Sequence, residues 1–272
     1  MKSMEKNILV DNLKIGNNVT IHPTASITGL NGNAKKVVVG DNVYIGANVQ
    51  IICDDFKIGD YSKIQHNTNV HGYKSCMIGH NAWVGQYTII DCIGGMNIGN
   101  NCGIGAHSQL WSHIKYGDTL EGCRFLSEKE MNIGNDVWFV GHCIVSPINA
   151  MDKSMAMVGS VVTKDMNYNE IYAGSPAKSL SDKIGFQFNK TTIDEKIIKM
   201  NKYLKEFEVK NGTEHNLKIV PNIDNINFED DFTYFEVDNR TYKKTRSMSE
   251  IKFMKYLLPA KAKFIPNNDT IQ

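Results

Sequence analysis

Residues 78–110 read IGHNAWVGQYTIIDCIGGMNIGNNCGIGAHSQL, and an aliphatic residue returns in them on a six-residue beat: Ile78, Val84, Ile90, then Ile98, Ile104 and Leu110. Glycine often follows the mark, as in Ile78-Gly79, Val84-Gly85, Ile98-Gly99 and Ile104-Gly105. Four positions beyond a mark stands a small or modest residue: Ala82, Thr88, Cys102 or Ser108. An amphipathic helix needs a period of 3.6, which these residues do not keep, and a fixed period along a chain marks a repeat architecture.

The beat runs back through Ile58, Ile64 and Val70, through Val39, Ile45 and Ile51, and to Ile15, Ile21 and Ile27. It resumes at Ile133, Phe139 and Val145 and is expected to continue at Met151 and Met157. Three marks make a group, and surplus residues follow the third mark: one between Ile51 and Ile58, two before Ile78, two before Ile98, and 17 between Leu110 and Ile133. A coil with three flat sides explains this. Extra residues collect at one corner, and each coil adds a rung about 4.8 Å further along, with the marks and their small partners filling a narrow prism. The expected fold is mainly β, a three-sided parallel β-solenoid of hexapeptide repeats carrying a corner loop at 112–132.

Beyond Lys178 the beat stops. Thr192 and Glu195 fit a capping box, after which Ile193, Ile197, Met200, Leu204 and Phe207 keep helical spacing. Leu217 to Ile223 and Phe232 to Tyr242 alternate as strands do, suggesting a hairpin, and Ser247 with Glu250 starts a final helix that Pro259 ends. The chain therefore divides into a solenoid domain, 1–184, and a small α+β C-terminal extension, 185–272.

Among 272 residues, 30 are basic and 29 acidic, so net charge +1 offers no field for nucleic acid or an anionic membrane. No apolar run reaches the roughly 18 residues of a membrane span, and MKSMEKNILV lacks the apolar centre of a secretion signal. A cytoplasmic location is expected. The six cysteines show no CxxC spacing and suit reduced thiols.

Two segments carry a family resemblance. One is Ile133-Gly134-Asn135-Asp136-Val137-Trp138; the other is Val158-Gly159-Ser160-Val161-Val162-Thr163-Lys164-Asp165 followed by Ala173-Gly174-Ser175-Pro176-Ala177-Lys178. With the repeat, they make Ile15 to Leu180 resemble the hexapeptide-repeat acyltransferases, whose domain is a left-handed parallel β-helix. Phe139-Val140-Gly141 departs from that family's Ile-Gly after Trp, and the surviving six-residue count through Val145 makes this a change of side chains. Trp111-Ser112-His113 before a long loop is similar to the sugar O-acetyltransferases of the family. That resemblance implies an acetyl-CoA-dependent acetyltransferase acting on a sugar or polysaccharide hydroxyl. It also implies a homotrimer with active sites between subunits, and no metal.

Site residues follow from the same resemblance. His113 precedes Ile133 by 20 residues, as the family's catalytic histidine does, and an imidazole can take a proton from an attacking hydroxyl. Trp138, Gly141, Val158, Gly159, Ser160, Thr163 and Lys164 match positions near the coenzyme A arm and phosphates, and Pro176 and Lys178 match the adenine end. Trp111 offers an apolar face to a sugar. Glu121, Glu128 and Glu130 in the loop are candidates for orienting the imidazole or the acceptor. The loop is expected to act as an acceptor-side lid.

Four other readings stand beside this one. An amino-sugar N-acetyltransferase has the same fold. A cysteine nucleophile would have to be Cys123, because Cys102 and Cys143 fall at inward positions, where a thiolate is disfavoured. A γ-class carbonic anhydrase needs three histidines on zinc, yet His71 and His80 lack a third at the required spacing, where Gly85 stands. His107 and His142 are placed to stack on successive coils. A non-catalytic scaffold would not need the loop or the closing segment.

Overall fold

The computed structural model describes residues 7–267. Its first compact unit, ending at Phe188, is the three-sided parallel β-helix that the repeat predicts. Strands ending on the first mark of each group form one face and those on the second mark another, with third marks on the last. Registers run mark on mark. Ile58 pairs with Ile78, Ile78 with Ile98 and Ile98 with Ile133 on the first face; Ile104 pairs with Phe139 on the second, and Leu110 with Val145 on the third. Every one of these side chains is buried, as are the small partners Ala82, Thr88, Cys102 and Ser108. Branched aliphatic residues suit a pleated surface packed on its inner side, and here three such surfaces share one core.

Side chains finish the corner between the first and second faces. The residue two beyond each first mark accepts a hydrogen bond from the same residue one coil earlier. Asn17 N–H donates to Asp41 Oδ1 and Asp41 N–H to Asp60 Oδ1, each at 2.7 Å; Asp60 N–H donates to His80 Nδ1 at 2.9 Å and His80 N–H to Asn100 Oδ1 at 2.8 Å. The series ends with Asn100 to Asn135 and Asn135 to Asp152. His80 is therefore a buried rung of this ladder. The next residue along the corner takes a left-handed conformation, which Asn tolerates better than most, and Asn18, Asn42, Asn81 and Asn101 stand there.

The marks expected at Met151 and Met157 are displaced by one residue. Ile133 bridges Ala150, Phe139 pairs with Ala156 and Val145 with Val162, and Met166 then bridges Ala150. Met151 and Met157 are 56% and 36% exposed. The physical reason lies at the third corner, which loses residues here: Ala150 follows Val145 after five positions and Met166 follows Val162 after four. The corner that tolerates insertion tolerates shortening too, while the six-residue spacing within each coil holds.

The second unit begins at Asn189. A four-residue helix, α1 (Ser181–Ile184), precedes it; α2 (Ile193–Asn211) opens on the expected capping box, and α3 (Met248–Leu257) opens on Ser247 and stops just before Pro259. The expected hairpin is corrected in one respect. Leu217–Val220 and Thr233–Glu236 pair in parallel, and the tight hairpin lies inside the second segment, between Thr233–Glu236 and Thr241–Tyr242. The chain from Pro221 to Phe232, with its short turn at Ile223–Asn225, carries it back to the parallel start. In the hairpin turn, buried Glu236 accepts from the Asn239 N–H and the Thr241 hydroxyl. Phe207, Phe235, Phe253 and Phe264 make edge-on ring contacts that form this unit's core.

Candidate active site

The long surplus at the third corner is a β-hairpin: His113–Lys115 pairs antiparallel with Leu126–Glu128. His113 stands at its base, where the solenoid hands over to the hairpin, and is mostly buried. Its Nδ1 lies 2.7 Å from Oδ2 of Asp91, a fully buried carboxylate one coil earlier. The same oxygen accepts from the Ser112 N–H at 2.8 Å and the Ser112 hydroxyl at 2.9 Å, and Oδ1 accepts from the Ile93 N–H at 3.2 Å. An ionised carboxylate only accepts, so the Nδ1 of His113 carries the hydrogen. In neutral imidazole the lone pair is then on Nε2, the atom that can take a proton. The Trp111 ring stands edge-on to His113, centroids 6.2 Å apart, and its Nε1 donates to Gln109.

The carboxylate bonded to the imidazole is thus Asp91 and none of the three loop glutamates. Glu128 pairs with Lys74 and Lys115, whose hydrogen bonds hold its carboxyl below the usual range, while Glu121 and Glu130 are exposed. The Glu121 N–H donates to Asp118 Oδ1 within the hairpin tip. The sequence carried one signal for Asp91: an acid directly after the third mark Ile90, in register with His71 of the preceding coil. His71 approaches the other carboxylate oxygen at 3.9 Å.

The other expected site residues lie elsewhere on the helix. Gly141, Val158 and Gly159 are at the corner between the second and third faces, with Val158 exposed and open space where a Cβ on Gly159 would stand. Thr163 and Lys164 are exposed past the last third mark, and Pro176 and Lys178 are exposed on the closing hairpin of Ile171–Gly174 with Ala177–Ser179. Ser160 turns the other way. It is fully buried in the prism, its hydroxyl donating to the Met157 carbonyl at 2.6 Å. Trp138 lies on the outer side of the second face. Within one chain the structure thus gathers Trp111, Ser112, His113 and Asp91; Thr163 and Lys164 leave the same corner further along the helix, and Gly141, Val158 and Gly159 stand at the second corner.

Cys102 and Cys143 are buried, as their inward positions predict, and Cys123 is half-buried in the hairpin. The neighbouring Cys92 thiol and burial push the Cys53 thiol up. His107 and His142 stack at 4.8 Å, below Tyr87 at 5.0 Å, as a ring column on the second corner. Among the described residues no three His, Cys, Asp or Glu side chains are grouped to hold a metal ion.

No family model matches the chain. Solved structures similar to it include the UDP-N-acetylglucosamine acyltransferase from Campylobacter jejuni, at 16% identity over 73% of this chain and 81% of that one, TM-score 0.47. The polySia-specific acetyltransferase NeuO is similar at 19% identity over 76% and 90%, TM-score 0.43. A hexapeptide-repeat acetyltransferase from Vibrio cholerae, complexed with acetyl coenzyme A, is similar at 19% identity over 52% and 68%, TM-score 0.37.

Proposed function

We propose that the chain is an acetyl-CoA-dependent O-acetyltransferase, acting in the cytoplasm on a hydroxyl of a sugar or surface polysaccharide, with His113 as general base. The observation that carries this is the 2.7 Å bond from His113 Nδ1 to the buried Asp91 carboxylate, which leaves Nε2 as the acceptor of a proton. Acetyl-CoA supplies the activated acetyl group. His113 Nε2 takes the acceptor's hydroxyl proton as that oxygen attacks the thioester carbon, the Asp91 carboxylate stabilises the imidazolium that forms, and the carbon–sulfur bond then breaks as the imidazolium returns the proton to the departing CoA sulfur. Trp111 supplies an apolar edge beside the base, and the hairpin 113–128 closes over the acceptor.

The residues at the second corner suit a coenzyme A arm. Val158 is exposed and open space lies over Gly159, while Lys164, an exposed cation available to a phosphate, follows Val162 at the same corner as His113. Gly141, Val158 and Gly159 are separated from His113 by the width of a face, which supports a composite site: His113 of one copy, with the coenzyme corner of the next, in a cyclic homotrimer. The left-handed winding belongs to the same reading.

The test is free-CoA release with a panel of sugars, oligosaccharides and nucleotide-linked amino sugars, for the wild type and His113→Ala. The variant should lose about 10²–10⁴ fold in kcat. Unchanged turnover removes His113 from the mechanism, and transfer confined to amino groups replaces O- with N-acetylation.

A further inference from the structure

Outward-facing residues on the second face form one unbroken column. Tyr44 pairs with Lys63, Lys63 with Trp83, Trp83 with Gly103 and Gly103 with Trp138. Aromatic residues therefore branch from alternate rungs, at Tyr44, Trp83 and Trp138, whose backbones stand about 9.5 Å apart. Both indoles are open to solvent, Trp83 at 42% and Trp138 at 45%, and Tyr44 is half-buried. Gly103 lets the last indole lie along the sheet: a Cβ there would stand 2.9 Å from Trp138 Cδ1.

Both remaining faces supply an internal comparison. Built on the same rungs, the equivalent column of the third face holds Gln50, Asn69, Ile89, Gln109 and Ile144, and that of the first face Val38, Lys57, Met77, Asn97 and Asn132. Neither segment has a ring. Nothing in the repeat demands aromatic residues outside the prism, and rings aligned along one face suit a binding surface. Its shape is flat, with backbone hydrogen bonds already paired rung to rung, so an added peptide strand has no edge to join.

We propose that this face is a binding track for an extended polymer of β-1,4-linked pyranoses. A pyranose has a flat C–H face that packs on an aromatic ring and polar edges that stay in water. In an extended β-1,4 chain each residue is turned over relative to the last, so every second residue presents the same face. Its advance per residue is close to one rung. Alternate sugars therefore stack on Tyr44, Trp83 and Trp138, and those between pass Lys63 and the edge of the Trp138 indole that lies over Gly103. The track ends beside the corner that bears Gly141 and Val158. That the bound polymer is also the acetyl acceptor rests on the function proposed above; that it binds on this face does not.

Calorimetry with the full chain tests the track, using β-1,4 hexamers and dimers of glucose, N-acetylglucosamine and mannuronate. At least one hexamer should bind ten or more times more tightly than its dimer. Trp83→Ala and Tyr44→Ala should each weaken that hexamer by about tenfold, with Trp83→Tyr recovering most of the loss and Ile89→Ala on the third face changing nothing. Thermal melts and subunit number should match the wild type. Overturning results are hexamers that bind no better than dimers, wild-type hexamer affinity in Trp83→Ala, or a change of subunit number in that variant, which would make the face a contact between copies. Length-dependent binding without acetyl transfer removes the enzyme reading and leaves the track; transfer to sugars without length dependence does the reverse.

Discussion

With Asp91 accepting from Nδ1, the neutral His113 imidazole has a single tautomer matched to its surroundings, and the reactive lone pair is fixed on Nε2. Asp91→Asn tests this directly. The amide presents either its oxygen to His113 and its NH₂ to the Ile93 N–H, or the reverse, so one donor is always turned against another. We expect kcat to fall by about 10²–10⁴ fold with acetyl-CoA affinity unchanged in calorimetry. Wild-type turnover in Asp91→Asn would sink the orienting role. His113 was legible in the sequence because a motif and a loop surround it. Asp91 was not, because it lies 22 residues earlier and becomes a neighbour only when one coil is stacked on the next. The beat identifies inward positions and is silent about which corner residues meet.

At the scale of elements, the hairpin projects Tyr116, Leu120 and Phe125 almost wholly into solvent, which suits a part that closes on something else. Replacing residues 116–125 by a two-residue turn keeps its paired strands. Steady-state kinetics should then show the acceptor KM rising at least tenfold while CoA binding holds; an equal loss of CoA affinity would show that the hairpin is no acceptor lid. In the second unit, the Thr192 N–H and hydroxyl hold the Glu195 carboxyl below its ordinary value. A lowered folded value means that this contribution to α2 is complete above the ordinary carboxyl range, near about pH 4.3, and is lost as pH falls through the lowered value. The melting temperature of Glu195→Gln should therefore lie below the wild type at pH 7 and converge on it in acid. A pH-independent gap would refute that linkage. Both helices of this unit were readable from their caps, whereas strand order was not: alternation tells which residues face the core and nothing about whether neighbours run parallel.

Across the whole molecule the repeat specified the architecture, and it failed in two places: the end mark Ile15 is 46% exposed where no earlier coil covers it, and the frame shifts by one residue after Val145. Ala150-Met151 and Ala156-Met157 are both apolar pairs, so neither hydrophobicity nor spacing distinguishes the inward member when a corner shortens. The corrected frame makes a sharp contrast in urea melts. Met151→Ala and Met157→Ala should stay within about 0.5 kcal/mol of wild type, whereas Ala150→Leu and Ala156→Leu, forced into a filled prism, should cost about 1–3 kcal/mol. Equal effects at the four sites would return the marks to the methionines. The side-chain ladder at the first corner has one more consequence, because all its bonds point the same way. Asn17 is served by Asp41, Asp41 by Asp60, and Asp60 by His80, so each coil is completed by the one that follows it. On a ribosome the newest coil is always the unfinished one, and it is sealed only when its successor emerges. Premature termination therefore leaves a ragged final turn, whereas loss of the first coil leaves no later amide without its acceptor.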